Sequence, residues 1–198
     1  MQSNRLDARS LLTGSVVGFA AWLFGYAFTY AIVAPEIRES PLNQFVDLFE
    51  GASQTYEMVG WVFYNAHFVD VVFRDIPFLG SRSGAFIGGQ DGFTTLLYVV
   101  PPALLLAGGL ALARHRRAAT PIDGARFGLA VIPGYLVLSV AGAFVFEVTT
   151  LGASGAPDLL SAVVLAGILY PLVFASAGGA LGGFLERREG RRDVETRS

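Results

Sequence analysis

The sequence has neither cysteine nor lysine, since all 14 of its basic side chains are arginine. The first absence excludes a disulfide scaffold, a Cys-ligated zinc site and a thiol nucleophile. The second excludes a P-loop lysine and a Schiff-base lysine. Charge of both signs is scarce, at 15% of residues against roughly 25% in soluble domains. With 53% hydrophobic residues and a mean hydropathy of +0.53, this excludes a disordered tail, a basic nucleic-acid-binding domain and a disulfide-rich secreted module. There is also no H-E-x-x-H, no G-x-S-x-G and no helix-opening G-x-G-x-x-G.

What is present is organised by where charge is missing. Four windows, 11–34, 93–113, 127–146 and 159–185, contain no Asp, Glu, Arg or His. Each reaches the roughly 20 residues that a helix needs to cross a hydrocarbon core. The first is longer than the 7 to 15 residues of a signal-peptide core, and Pro35 follows Ala34 directly, so it reads as a retained span. The expected fold is all-α, an integral membrane four-helix bundle forming a single membrane domain over 1–198. An outer segment at 35–92 and a tail at 186–198 complete it.

Arginine placement orients the spans, because cytoplasmic connections carry an excess of it. Eleven arginines fall in the N-terminal segment, the 114–126 connection and the tail. Three, Arg38, Arg74 and Arg82, fall on the other side with ten acids. Both termini are therefore expected in the cytoplasm of a multi-pass cell-membrane protein. A fifth apolar stretch, 58–73, would reverse every later span if it crossed, and it contains Asn65, His67 and Asp70; it reads as lying on or dipping into the outer face.

The outer segment reads as an amphipathic helical cap. Ser40 and Pro41 signal a helix start and Gly51 its end. A second helix, capped by Ser53, is expected to run to about Arg74, before Pro77, and to set His67, Asp70 and Arg74 on one face. That stripe is the candidate polar site, an acid–base or metal-binding pair or an ordinary solvated ion pair. The Gly80 to Gly92 stretch is expected to be an irregular loop. His115 lies on the opposite side from His67, so the two histidines cannot share a metal, and it belongs to a basic collar at the headgroups. No cofactor and no nucleic-acid partner is expected.

Within the spans, Gly14 with Gly18, and Gly178, Gly179, Gly182 and Gly183, form G-x-x-x-G faces for close helix packing. Pro101, Pro102, Pro133 and Pro171 are candidate kinks. Spans two and four share a pattern at an offset of 70, Pro101 with Pro171 and Ala107-Gly108-Gly109 with Ala177-Gly178-Gly179; a duplicated hairpin explains it, and so does chance among 24 glycines. Trp22, Tyr26 and Tyr30 share a face of span one. The spans hold no Asp, Glu, Arg or His, only hydroxyls and tyrosine phenols, which argues against a proton- or sodium-coupled pump.

The lysine-free and cysteine-free composition, with 61–69 reading WVFYNAHFV, resembles small multi-pass membrane proteins of halophilic archaea that have no assigned function. The resemblance implies a plasma-membrane protein facing high salt, and implies no activity. The expected function is a non-enzymatic accessory or interaction subunit, with the bilayer, another membrane protein or a second copy as partner. The rival is a small channel or carrier for a neutral solute or ion through proline-kinked spans. A membrane enzyme centred on His67 and Asp70 is a third reading.

Overall fold

The computed structural model describes residues 8–50, 53–76, 80–89 and 92–195. Four helices are long and apolar enough to cross a membrane: Ala8–Glu39, Thr95–His115, Pro121–Val145 and Leu159–Glu189. They overlap the four charge-free windows. The first, α1 (Ala8–Glu39), has 32 residues and carries Pro35 inside it, so at the helical rise it is about 48 Å long. The chain divides into two compact units, one made of 1–22, 102–137 and 167–198, the other of 23–101 and 138–166.

The first unit packs helix against helix through glycine. It holds the start of α1, most of α4 (Val100–His115), α5 (Pro121–Leu129) and the first residues of α6 (Ile132–Val145). From the fourth long helix it takes a π-helical stretch (Pro171–Ala175) and α7 (Ser176–Glu195). α5 begins where Thr120 accepts a hydrogen bond from the Asp123 N–H at 3.2 Å, with proline in its first turn. That capping sequence starts the third span six residues before the charge-free window does, because Asp123 and Arg126 sit on the helix as an i,i+3 pair.

The second unit is where the all-α expectation fails. It contains a four-stranded antiparallel sheet in the order β2-β1-β4-β3, from β1 (Val71–Ile76), β2 (Gly80–Gly84), β3 (Val148–Thr150) and β4 (Ala153–Pro157). β1 is central, with Val71 opposite both Gly84 and Pro157. β3 and β4 join through Leu151 and Gly152, both with positive φ, 50° and 84°, the geometry of a tight two-residue hairpin turn.

The expected long amphipathic helix is likewise corrected. α2 (Pro41–Glu50) starts as expected, the Ser40 hydroxyl accepting from the Asn43 N–H at 3.2 Å; its expected stop, Gly51, lies outside the described residues. The next helix, α3 (Thr55–Asn65), ends nine residues short of Arg74 and is buried on nearly every face. It stops because the Val69 N–H reaches the Tyr64 carbonyl and the Phe68 N–H the Asn65 carbonyl, at 3.1 and 2.9 Å. These are the paired bonds of a Schellman cap, and Phe68 takes the left-handed conformation, φ 58°, that glycine usually supplies.

Candidate functional site

α3 and the turn after it form the centre of the second unit. Trp61 Nε1 donates to the Phe146 carbonyl at 2.7 Å, and the Tyr64 hydroxyl donates to the Ser139 carbonyl. Asn65 clamps two segments, its amide donating to the Val69 carbonyl and its oxygen accepting from the Phe86 N–H, both at 2.7 Å. Gly60 is required by close approach, since a Cβ there would stand 2.2 Å from the Phe146 ring. Trp61 also packs edge-on to Phe73 of β1 and stacks on Phe86 at 6.0 Å. Tyr26 stacks on Phe146 at 5.2 Å and donates to the Tyr56 carbonyl at 3.0 Å, so within this unit the aromatic stripe of span one is a packing seam.

The expected polar stripe is not assembled. His67 is fully buried, its Nδ1 2.8 Å from the Phe63 carbonyl, whereas Asp70 and Arg74 are exposed, Arg74 on β1 opposite Ser154. The helical spacing that would align the three ends at Asn65. Burial pushes the imidazole down to about 4, with the carbonyl contact opposing the shift, so His67 is neutral at ordinary pH. Asp70 contributes its backbone carbonyl, which accepts from the Asp158 N–H at 2.9 Å. Asp158 in turn caps the fourth span, its carboxylate accepting from the Ser161 N–H at 2.8 Å. The Ser161 hydroxyl and N–H hold that carboxyl below its ordinary range, with a lesser contribution from Arg74.

Two features of this unit escape sequence reading. Glu57 is buried, 4% exposed, with the Gln54 carboxamide turned toward it. An open pocket of about 430 Å³ lies among the end of α1, the start of α2, α3, Phe86 and Phe93. Its walls include Met58, Trp61, Phe86 and Phe93, with Glu36 and Glu39 on the α1 side. No motif announces it, because four separate segments supply its lining. Among the described residues no group of three or more His, Asp or Glu is placed to hold a metal.

In the first unit the glycines stand at helix crossings. A Cβ on Gly178 would lie 2.0 Å from the Leu106 carbonyl oxygen, on Gly18 2.3 Å from that of Val131, and on Gly183 2.2 Å from that of Thr120. Gly14 faces Ala130, Gly179 faces Gly124 and Gly182 faces Ala113. Gly124 and Gly128 form a further pair of this kind that sequence reading missed by assigning 114–126 to a connection. Pro101, which ends the second unit's 23–101 stretch, and Pro102 fall where a 3-10 turn at Thr95–Val99 passes into α4. Pro133 is the second residue of α6, and Pro171 opens the π-helical stretch.

Two arginines around the end of the second long helix are tied down. Arg114 pairs with Glu189 at 2.9 Å, and Arg116 donates to the Arg9 carbonyl and the Thr13 hydroxyl at 3.1 and 3.0 Å. Comparison with known proteins finds no match among curated proteins or solved structures. A family profile matches residues 1–186, and the chain belongs to that family, the family of unknown function DUF7978.

Proposed function

We propose that this protein is an integral component of the cell membrane, with both ends cytoplasmic, and that it acts as a non-enzymatic accessory or interaction subunit. The second unit carries the proposal: it joins a small sheet and a buried helix to parts of all four long apolar helices, and its imidazole is sealed in the core. The observation that supports the orientation is the charge of the two units, eleven arginines and six acids in the first against three and ten in the second. Large apolar side chains such as Leu12, Phe24, Phe144 and Leu160 are exposed on the long helices, as lipid contact requires. The resemblance to proteins of halophilic archaea adds high external salt to this setting, which suits an acid-rich outer unit.

The rival carrier role finds less support, because the glycine crossings bring helix backbones together and leave no path between those pairs. In intact cells, single cysteines at Ser53 and Ser81 should react with an impermeant maleimide, and those at Ala119 and Arg187 only after permeabilisation. External labelling at 119 overturns the topology. Saturable solute flux in proteoliposomes of the native chain overturns the accessory role; a partner cross-linked at Ser81 without flux supports it.

A further inference from the structure

The pocket in the second unit combines features that together select a ligand class. Its volume of about 430 Å³ lies within the range of small-molecule sites, roughly 300 to 1,000 Å³. The Trp61 indole N–H is committed to the Phe146 carbonyl, so the pocket meets that side chain as aromatic carbon. Phe86, stacked against it with 15° between the ring planes, and Phe93 extend the aromatic lining, and Met58 adds a polarisable thioether. Glu36 and Glu39 border the same cavity one helical turn apart, both exposed, and no arginine pairs with either among the described residues. Arg38, between them in sequence, donates to the Tyr30 hydroxyl at 2.9 Å and lies 5.8 Å from that ring centroid.

Aromatic faces carry negative charge and attract cations, and two carboxylates beside them reinforce the preference. An anion is repelled by both. An uncharged ligand gains at most hydrogen bonds to the carboxylates and none of the charge attraction, and a hydrated metal ion finds two carboxylates and an apolar wall in place of an oxygen cage. We propose that this pocket binds an organic cation, a quaternary or protonated amine attached to an apolar body, with the cationic centre toward Glu36 and Glu39 and the body against Trp61, Phe86 and Phe93. The site belongs wholly to the second unit and does not depend on the proposed orientation or accessory role, so its failure would leave both standing.

The test is isothermal titration calorimetry of the full chain in non-ionic detergent with benzyltrimethylammonium chloride, blanked against sodium chloride at equal ionic strength. Saturable one-to-one binding is expected, weakened at least tenfold in the Glu36→Gln/Glu39→Gln double variant. Choline should likewise bind at least tenfold more tightly than its uncharged isostere 3,3-dimethylbutan-1-ol. If the double variant does not fold, this choline pair on the native chain decides. Absence of saturable binding, or equal affinity for the charged and uncharged isosteres, overturns the proposal.

Discussion

The two units of this chain solve the packing problem in opposite ways. The first, with seven of the 25 aromatic residues, lets backbones touch at glycine. The second, with the other eighteen, interlocks large rings around Trp61, Tyr64 and Phe146 and satisfies buried polar atoms through Asn65 and the indole N–H. The difference follows from what holds each together. On the proposed membrane setting, the first unit's helices meet in lipid without a hydrophobic drive, so close approach and dispersion must serve. A sheet capped by a buried helix gains from removing aromatic area from water.

Substitutions that reverse the two strategies test this contrast. The largest effect is expected for Gly178→Leu or Gly134→Leu, whose added side chains start about 2 Å from the carbonyl oxygens of Leu106 and Ser15. A loss of about 5 kcal/mol, at the exceptional end for single substitutions, should leave no folded monomer by size exclusion in detergent. Recovery of native monomer would show that the crossings can separate. Trp61→Ala, the corresponding assault on the ring-packed unit, should cost about 3 to 5 kcal/mol. Limited proteolysis should then cut within 53–89 before it cuts within 121–145. Simultaneous cutting of both segments would mean that the units do not unfold separately.

His67 supplies a smaller effect that separates the units by pH. Its imidazole is depressed to about 4 in the folded chain, below its ordinary value of about 6.5. Its contribution is therefore complete above pH 6.5 and is lost as pH falls through 4, as the unfolded chain binds the proton first. The loss across that window is on the order of 3 kcal/mol. Denaturant unfolding at pH 7 and pH 4.5 should show it in the native chain and much less of it in His67→Gln. An unchanged pH dependence in the variant would place the titrating group elsewhere. The smallest effect is expected for Asp158→Ala, which removes the cap of the fourth span at about 1 kcal/mol. Asp158→Asn, which keeps an acceptor, should recover most of it in thermal unfolding.

The same contrast explains what could be read in advance. The four long helices are legible because each overlaps a charge-free window of 20 or more residues, a signal to which every residue of the window contributes. The sheet is not. β1 contains Val71, Val72 and Ile76, but the period-2 signal merges with the apolar run of α3, and only a Phe in the left-handed conformation at 68 separates them. β2 (GSRSG) and β4 (ASGAP) have the small residues of loops and little strand propensity of their own; β1, lying between them, makes them strands by offering both of its edges. The stripe of His67, Asp70 and Arg74 failed with the helix that was to carry it. The pocket was invisible because Glu36, Trp61 and Phe93 converge only after the chain has turned back several times.

Each unit is also interrupted by the other along the chain, and this sets an order of completion during synthesis. The second unit has all its strands once β4 has been made, and its last residue is 166. The first has Gly14 and Gly18 waiting from the outset, meets their partners at 130–135, and still lacks the helix bearing Gly178 until the fourth span follows. With residues up to about 166 clear of the ribosome and the rest still in its exit tunnel, the nascent chain can therefore close its sheet while one glycine-lined groove, beside Leu106 and Gly124, stands unfilled. Any factor that shields small-residue grooves on a nascent chain would meet this one in that interval.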